Sequence, residues 1–290
     1  MSIRPGDWWE LSWNPWEGCT PVSEACKNCW ALQMLRRFRW QESGDIRFYP
    51  SRVPRVRPTR YFVGSLTDVF HEEVPDKDRL RMFKIMGQHP QHIYCLLTKR
   101  PELAADFFVD HVFHEFDPLF RDPVFSQIWM GATTENQDRF DERQGFLRNL
   151  PSAVRFISAE PLLGPLNLGS ATEWLDWVIV GGETGPKAQP MHPDWVWSLR
   201  DQCQEAGIPL WFKGWGKYLH SRSYSELNRQ KGLYRIWPTQ RKGTQEEMIG
   251  KNELWNHENL MTGFFRPIGE KTGRLLDGRE WSELPEVPHD

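Results

Sequence analysis

The chain has 290 residues, a mass of 34.3 kDa and a formal net charge of -3, from 36 lysine and arginine residues against 39 aspartate and glutamate residues. This near balance excludes a histone-like polycation. The mean hydropathy is -0.63, and the sequence has no apolar run of the roughly 20 residues that span a bilayer. The first residues carry no apolar signal segment, so we expect a cytoplasmic protein without membrane contact.

The first chemical signal along the chain is a cluster of three cysteines. Cys19, Cys26 and Cys29 follow the spacing C-x6-C-x2-C. A disulfide framework is disfavoured, because a cytosolic chain stays reduced and three clustered thiols cannot all pair with one another. The periodicity that begins at Cys26 predicts a helix with Cys26 and Cys29 on one face of its first turn. Cys95 and Cys203 stand alone and are predicted to be core residues. The cluster indicates a metal site.

Two kinds of metal site are compatible with three clustered thiolates. A structural zinc site normally takes four protein ligands, and the sequence has no second C-x2-C pair to supply them. A fourth ligand would have to be a distant histidine, such as His71, His89 or His92. A [4Fe–4S] cluster held by three cysteines leaves one iron open to a substrate or cofactor. The spacing favours the iron–sulfur cluster, with zinc and simple burial of the thiols as alternatives.

An arginine-rich segment follows between Arg36 and Arg60. It contains eight arginines against two acids, Glu42 and Asp45, and is interleaved with aromatic residues. Arginine pairs with phosphate and aromatic rings stack on bases, so the segment predicts a nucleic-acid or nucleotide contact surface. The alternative is a solvated loop whose arginines pair with neighbouring acids.

A series of short apolar runs follows a first candidate strand at 8–15. The runs occupy residues 60–68, 92–100, 127–136, 154–161, 176–185 and 209–216. Each leads into a polar turn and then a segment able to form a helix. Continuous apolarity predicts parallel strands buried on both faces. Seven such units predict an α/β fold, with a partial or complete (β/α) TIM-type barrel over residues 1–220.

The remaining residues, 221–290, are rich in turns and contain two hairpin-like pieces. Asp277-Gly278 is a favourable dipeptide for a hairpin turn. We therefore expect a small C-terminal cap that packs on the barrel.

Polar residues follow the apolar runs at the points where the strands should end. A barrel brings such ends together on the rim that carries its active site. These residues include Ser65, Thr67, Asp68, Lys99, Arg100, Thr133, Glu135, Glu160, Gly181, Gly182, Glu183 and Lys213. For any single residue, a loop that merely begins there is an equally good explanation, but the shared position of the set favours a site. The paired glycines of VIVGGETG either let the backbone approach a ligand or form a tight turn.

Seven segments carry a resemblance to a known family. They are WNPWEGCTPVSEACKNCWA, FVGSLTDVFHEEVP, LLTKRPE, FISAEPLLGPL, VIVGGETGPKAQPMHPDWV, LWFKGWG and GRLLDGREW. Over residues 8–285 the sequence resembles the three-Cys-motif proteins of bacteriophages and prophages, a family similar to radical S-adenosylmethionine enzymes. The resemblance implies that Cys19, Cys26 and Cys29 ligate a [4Fe–4S] cluster whose open iron binds S-adenosylmethionine. The usual radical motif is C-x3-C-x2-C, so the first gap is longer here.

The resemblance also implies an activity, namely the generation of a 5′-deoxyadenosyl radical with an external electron donor. Candidate cofactor contacts are Ser65, Thr67, Asp68, Thr133, Glu135, Gly181, Gly182 and Glu183. Candidate catalytic groups, for the substrate or its protons, are Lys99, Arg100, Glu160 and Lys213. We expect a nucleotide or nucleic-acid base as substrate, in phage or prophage DNA modification. The alternative is a nucleic-acid-binding protein in which zinc (Zn2+) staples the N-terminal loop and no reaction occurs.

Overall fold

The computed structural model describes residues 8–37, 46–49, 52, 54–55, 57–113, 123–220, 264–265 and 274–286. The strands are β1 (Leu11–Trp13), β2 (Trp16–Glu17), β3 (Arg47–Phe48), β4 (Arg60–Val63), β5 (Ile93–Thr98), β6 (Ile128–Thr133), β7 (Val154–Ala159), β8 (Trp177–Gly181), β9 (Leu210–Gly214), β10 (Leu219–His220), β11 (Phe264–Phe265), β12 (Leu275–Leu276) and β13 (Arg279–Glu280). The helices are α1 (Trp30–Arg37), α2 (Asp76–Gln88), α3 (Pro101–Phe107), α4 (Gln137–Asn149) and α5 (Pro193–Ala206). Single turns of other helical types lie at Glu24–Cys26, Phe108–Val112 and Gly169–Glu173.

A parallel sheet of seven strands forms the centre of the described structure, in the order β1-β4-β5-β6-β7-β8-β9. This order follows the chain, as in a barrel, whereas a doubly wound sheet reverses its order part-way. Within the described residues β9 does not pair with β1, so the sheet is a curled half-barrel. The predicted α/β fold with a parallel sheet is confirmed, and a closed barrel stays a prediction.

The apolar runs account for the strands. From residue 60 onward, each predicted run contains a strand that begins within one residue of the predicted start. Every residue of β6 and β8 is buried, as continuous apolarity predicts. Neighbouring residues face opposite sides of the sheet: Trp129 belongs to the inner cluster and Met130 to the outer core beneath the helices.

Aromatic side chains fill the inner face of the sheet. The ring centroid of Trp8, just before β1, lies 5.7 Å from that of Phe156 in β7 and 5.8 Å from that of Trp177 in β8. In a flat sheet the residue before β1 would lie several strands away from β7 and β8, so these contacts require the sheet to curl. Gly131 leaves the room for this layer, because a Cβ there would overlap the ring of Phe156.

The helices begin and end at residues whose side chains suit those positions. Asn136 caps α4, its Oδ1 accepting a hydrogen bond from Arg139 N at 3.0 Å. Gly207 ends α5 with a left-handed φ of 70°. The longest helix among the described residues, α5, has 14 residues. In the described part of the chain, no helix combines the length and the apolarity needed to cross a membrane.

Residues 274–286 lie against the last strand of the sheet. The hairpin of β12 and β13 turns at Asp277-Gly278, the dipeptide predicted to make such a turn. Phe212 N donates a hydrogen bond to Trp281 O at 2.9 Å, so this segment covers the outer edge of β9. Most of the predicted cap, including residues 221–263, lies outside the described residues.

Candidate functional site

A cavity of about 460 Å³ opens at the carboxyl ends of the parallel strands. The predicted site residues that line it are Cys19, Cys26, Cys29, Ser65, Thr67, Asp68, Lys99, Arg100, Thr133, Glu160, Gly182, Glu183 and Lys213. Glu135 and Gly181 are not part of the lining. The strand ends and the cysteine loop therefore share one cavity.

The loop that carries Cys19 is anchored to the end of β4. Gly18 N donates a hydrogen bond to Leu66 O at 3.1 Å, and Thr67 Oγ1 donates a short one back to Gly18 O. Ser65 Oγ donates to the Asn14 side chain at 3.1 Å. Ser65 and Thr67, two of the predicted cofactor contacts, thus donate their hydroxyl protons to the loop and fix its position. The Ser65 oxygen keeps capacity to accept a hydrogen bond from a ligand.

The other two cysteines lie just before α1. Cys26 N donates a hydrogen bond to Ser23 O at 3.0 Å, and Cys29 N donates to Cys26 O at 3.2 Å, so each bond spans three residues and not the four of an α-helix. These bonds close tight three-residue turns, and α1 begins only at Trp30. The prediction that both thiols lie on the first helical turn is therefore wrong, although both line the cavity.

Asp68 is a hub of hydrogen bonds at the end of β4. Its carboxylate accepts from Thr98 Oγ1 at 2.7 Å, from Lys99 N at 2.9 Å and from Phe70 N at 3.1 Å. Three donors satisfy most of the capacity of a carboxylate. The side chain predicted to contact a cofactor therefore holds the ends of β4 and β5 together.

Arg100 extends this hub to the cysteine loop. Its Nη1 lies 3.4 Å from Asp68 Oδ2, its Nε lies 3.0 Å from Glu72 Oε2, and its Nη2 donates to Thr20 Oγ1 at 2.9 Å. Burial, aided by the charge of Asp68, raises the pKa of the Cys19 thiol to about 11, and the Arg100 guanidinium opposes this shift. Arg100 is thus a positive charge close to the first cysteine.

His71 completes the network on the other side of Thr20. Its Nδ1 accepts a hydrogen bond from Glu73 N at 3.1 Å, which places the proton of a neutral ring on Nε2. Burial, with the charge of Arg100, lowers the pKa of His71 and so favours this neutral form. His71 Nε2 then donates to Thr20 Oγ1 at 2.7 Å. Because Thr20 Oγ1 accepts from both His71 and Arg100, its own proton is free to be donated to a ligand in the cavity.

Glu135 is built into the protein interior instead of the cavity wall. It is fully buried, and its carboxylate lies 3.0 Å from the Arg143 guanidinium of α4, which also donates to Thr133 O at 2.7 Å. This buried pair ties α4 to the end of β6. Thr133, two residues earlier, does line the cavity.

Glu160, which follows β7, and Lys213, in β9, form an ion pair in the wall of the same cavity. Glu160 Oε1 lies 2.6 Å from Lys213 Nζ, and the two side chains are 24% and 32% exposed. The ammonium also lies 5.3 Å from the centre of the Trp9 ring. Gly181 lies beside both side chains: a Cβ there would approach the Glu160 and Lys213 stems to 3.2–3.4 Å. This glycine allows the two charged side chains to pack over the strand end.

The second glycine of VIVGGETG has a packing role. A Cβ on Gly182 would overlap the carbonyl of Trp215, and Gly182 N donates to Gly214 O at 2.9 Å. Glu183 Oε2 accepts from Gln189 N at 2.7 Å within the same loop. Gly182 is therefore required by a close backbone approach, while its loop also forms part of the cavity wall.

One family model matches nearly the whole chain. The model described as "Protein of unknown function (DUF5131)" matches residues 5–285. The chain belongs to this family. Neither the curated proteins nor the solved structures contain a match. The match of DUF5131 to nearly the whole chain includes both the cysteine loop and every strand of the parallel sheet, so the site described above lies within the family's region.

The cysteine triad of this DUF5131 protein has the donor chemistry of a metal centre. All three thiols line one cavity, and Arg100 and the free Thr20 proton lie beside the first of them. In the described residues no group of three or more histidine, cysteine or acidic side chains is arranged to hold a metal ion. Ligation would therefore require the cysteine side chains to turn toward one another. Three cysteines match the ligand number of a cluster with one open iron, whereas a structural zinc site takes four protein ligands.

The arginine-rich segment is only partly described, since residues 38–45 lie outside the described ranges. In the described part, Arg52 pairs with Glu17 at 2.7 Å and lies 3.8 Å from the centre of the Tyr49 ring. Arg60 Nε donates to Trp8 O at 2.6 Å. Arg52 therefore pairs with an acid, as the loop interpretation predicts, whereas Arg60 belongs to β4 and binds a backbone carbonyl. Arg47 is exposed on β3.

Three residues that line the cavity, Trp9, Thr20 and Trp30, were not among the predicted site residues. Trp30 lines the cavity although it is 53% exposed, which is unusual for so large an apolar side chain. Its position directly after Cys29 is the one signal that could have identified it. His71 acts through Thr20, a contact between residues 51 positions apart that no local pattern predicts.

Proposed function

We propose that this protein is a radical S-adenosylmethionine-type iron–sulfur enzyme whose substrate binds in the cavity at the strand ends. The observation that carries the proposal is that Cys19, Cys26 and Cys29 open into the same cavity as the polar strand ends. In α/β barrels this end of the sheet is where active sites lie. When bound, a [4Fe–4S] cluster supplies one electron to S-adenosylmethionine, whose cleavage gives methionine and a 5′-deoxyadenosyl radical that abstracts hydrogen from the substrate.

The three cysteines would hold the cluster, and the neighbouring network would position them. Thr67 fixes the carbonyl of Gly18, the residue before Cys19. Arg100 faces Cys19 and donates to Thr20, so it both orders the loop and offers a positive charge to the ligated thiolate. Asp68 and Glu72 hold Arg100 in place. All four side chains would therefore position the cysteines by fixing the loop that carries Cys19.

The cavity walls support the remaining parts of the proposal. Ser65, Thr133 and Glu183 line the cavity and are our candidate contacts for S-adenosylmethionine. Apolar side chains, among them Phe62 and Leu97, lie between the polar groups and limit the access of water. The proposed substrate is a nucleotide or nucleic-acid base, in phage or prophage DNA modification. We place the reaction in the cytoplasm, where thiols stay reduced and an external protein can donate the electron.

The decisive experiment is reductive cleavage of S-adenosylmethionine by anaerobically reconstituted protein. Wild-type protein is expected to release 5′-deoxyadenosine in the presence of dithionite, measured by chromatography. Cys26→Ala should abolish the product, whereas Cys203→Ala, which changes a buried thiol of the core, should retain it. A well-loaded cluster that releases no 5′-deoxyadenosine would contradict the radical reaction. Colourless protein with one tightly bound zinc per chain would instead support the zinc-stapled nucleic-acid-binding protein.

A further inference from the structure

We propose that Glu160, Lys213 and Trp9 form a subsite for a planar nitrogen heterocycle that presents a hydrogen-bond acceptor beside a donor, as the edge of a nucleobase does. The inference deepens the proposed function by naming the feature of the substrate that is recognised, and it rests on that function only for what happens after binding. Its basis is the chemistry of the ion pair in the cavity.

The ion pair has hydrogen-bonding capacity that the protein does not use. The Glu160–Lys213 contact of 2.6 Å uses one carboxylate oxygen and one ammonium proton. In the described part of the chain, neither side chain makes another hydrogen bond. A carboxylate has about four acceptor positions and an ammonium group three donors. Both side chains line the cavity and are partly exposed to it, so the remaining capacity faces a ligand.

The pairing of charges selects the kind of ligand. A carboxylate or phosphate ligand would approach Lys213 but would be repelled by Glu160, and an ammonium ligand would meet the reverse conflict. A neutral group with adjacent acceptor and donor satisfies both, because Lys213 donates to its carbonyl or ring nitrogen and Glu160 accepts from its N–H. Lactam and amidine edges of heterocycles have this arrangement, and carboxylates and amines do not.

The walls around the pair suit a flat ligand. The Trp9 ring, half-buried, lines the cavity 5.3 Å from Lys213 Nζ, and Phe62 packs beside it with ring centroids 5.3 Å apart. Trp30 is a second, more exposed ring in the lining, next to the cysteines. Aromatic side chains can stack on any nucleobase, because every base has a flat π-face. The cavity thus contains both an ion pair that can hydrogen-bond to the edge of a heterocycle and aromatic rings on which its face can stack.

The test uses cluster-free protein and three nucleosides that differ by single methyl groups, one of which changes the hydrogen-bonding edge. Uridine and 5-methyluridine keep the N3–H beside a carbonyl, whereas 3-methyluridine replaces that N–H with a methyl group. We expect equilibrium dialysis to show binding of the first two and binding at least about tenfold weaker for the third, from the loss of a hydrogen bond to a charged group. Equal binding of all three, or no binding of any, would overturn the subsite.

Variants connect the result to the ion pair. Lys213→Met and Glu160→Gln should each weaken uridine binding about tenfold. The matched changes Lys77→Met and Glu173→Gln alter exposed residues outside the lining and should leave it unchanged. Equal effects of the two sets would overturn the assignment. Nucleoside binding without cleavage of S-adenosylmethionine would leave the subsite standing and defeat the proposed function; cleavage without nucleoside binding would do the opposite.

Discussion

Arg100 and Asp68 form a buried ion pair, with Nη1 and Oδ2 3.4 Å apart, at the junction of β4 and β5. Both side chains are almost fully buried, whereas Glu72, the other acidic partner of Arg100, is largely exposed, so Asp68 is the buried charge that compensates Arg100. The same guanidinium donates to Thr20, the residue after Cys19. The pair therefore couples the stability of the sheet to the position of the first cysteine.

Asp68→Ala should lower the free energy of unfolding by about 3–5 kcal/mol, because the buried Thr98 hydroxyl and the Lys99 amide lose their acceptor and Arg100 keeps only the exposed Glu72 as an acidic partner. Asp68→Asn keeps an acceptor for Thr98 and Lys99 and should cost less. Urea unfolding followed by fluorescence measures both. The exposed Glu142→Ala, which breaks only a surface pair with Arg139, is the control and should change stability by less than about 1 kcal/mol. A cost for Asp68→Ala no larger than this control would show that the pair is not a structural element.

Gly131→Ala should destabilise the protein by about 1–3 kcal/mol, since the added methyl group would overlap the Phe156 ring within the packed inner layer. The control is Gly145→Ala in α4, where a Cβ meets no atom within 4 Å. There the same change should stabilise the helix by about 0.5–1 kcal/mol. Thermal unfolding of the two variants checks the difference in sign, and a neutral Gly131→Ala would disprove the tight inner packing.

His92 should make the protein less stable in acid. It is 1% exposed, Thr59 N donates to its Nδ1 at 3.1 Å, and burial lowers its pKa. The folded state therefore keeps His92 neutral while the unfolded state takes up a proton below the ordinary histidine value of about 6.5. Its contribution is complete above that pH and is lost as the pH falls toward the folded pKa, by up to about 1.4 kcal/mol per pH unit.

The variant His92→Asn isolates this contribution, because Asn keeps an acceptor near Nδ1 and does not titrate. His71 and His192 share the direction of the shift and should maintain part of the pH dependence. Urea unfolding at pH 7.5 and 5.5 should thus show a smaller loss of stability for the variant than for wild type. Identical losses would mean that His92 titrates normally.

The thiols should separate by alkylation rate in native, metal-free protein. Burial raises the pKa of Cys95, and raises that of Cys203 to about 12, so few thiolates form at neutral pH. Iodoacetamide followed by peptide mass spectrometry should label Cys29, which is partly exposed in the cavity, well before these two. Labelling of Cys95 or Cys203 at the rate of Cys29 would contradict their burial in the core.

The strands could be predicted from the sequence because parallel strands buried on both faces leave continuous apolar runs, and every run from residue 60 onward contains one. The start of α1 could not, since the tight turns at Cys26 and Cys29 compete with the helix through bonds that the apolar periodicity does not reveal. For the site, the roles of Asp68 and Glu135 likewise could not be predicted from the sequence. A carboxylate at a strand end gives the same sequence pattern whether it faces a cavity or is buried. The Glu135 carboxylate is buried because it pairs with Arg143 of the following helix.

Metal analysis of anaerobically reconstituted protein tests most directly whether the cysteine triad holds the proposed iron–sulfur cluster. Wild type and Cys203→Ala should both be brown and contain about four irons and four sulfides per chain, whereas Cys26→Ala should lose the visible absorption and most of the iron. Near-UV circular dichroism of the three proteins establishes that each is folded. Wild-type protein that binds no more iron than Cys26→Ala would contradict the account.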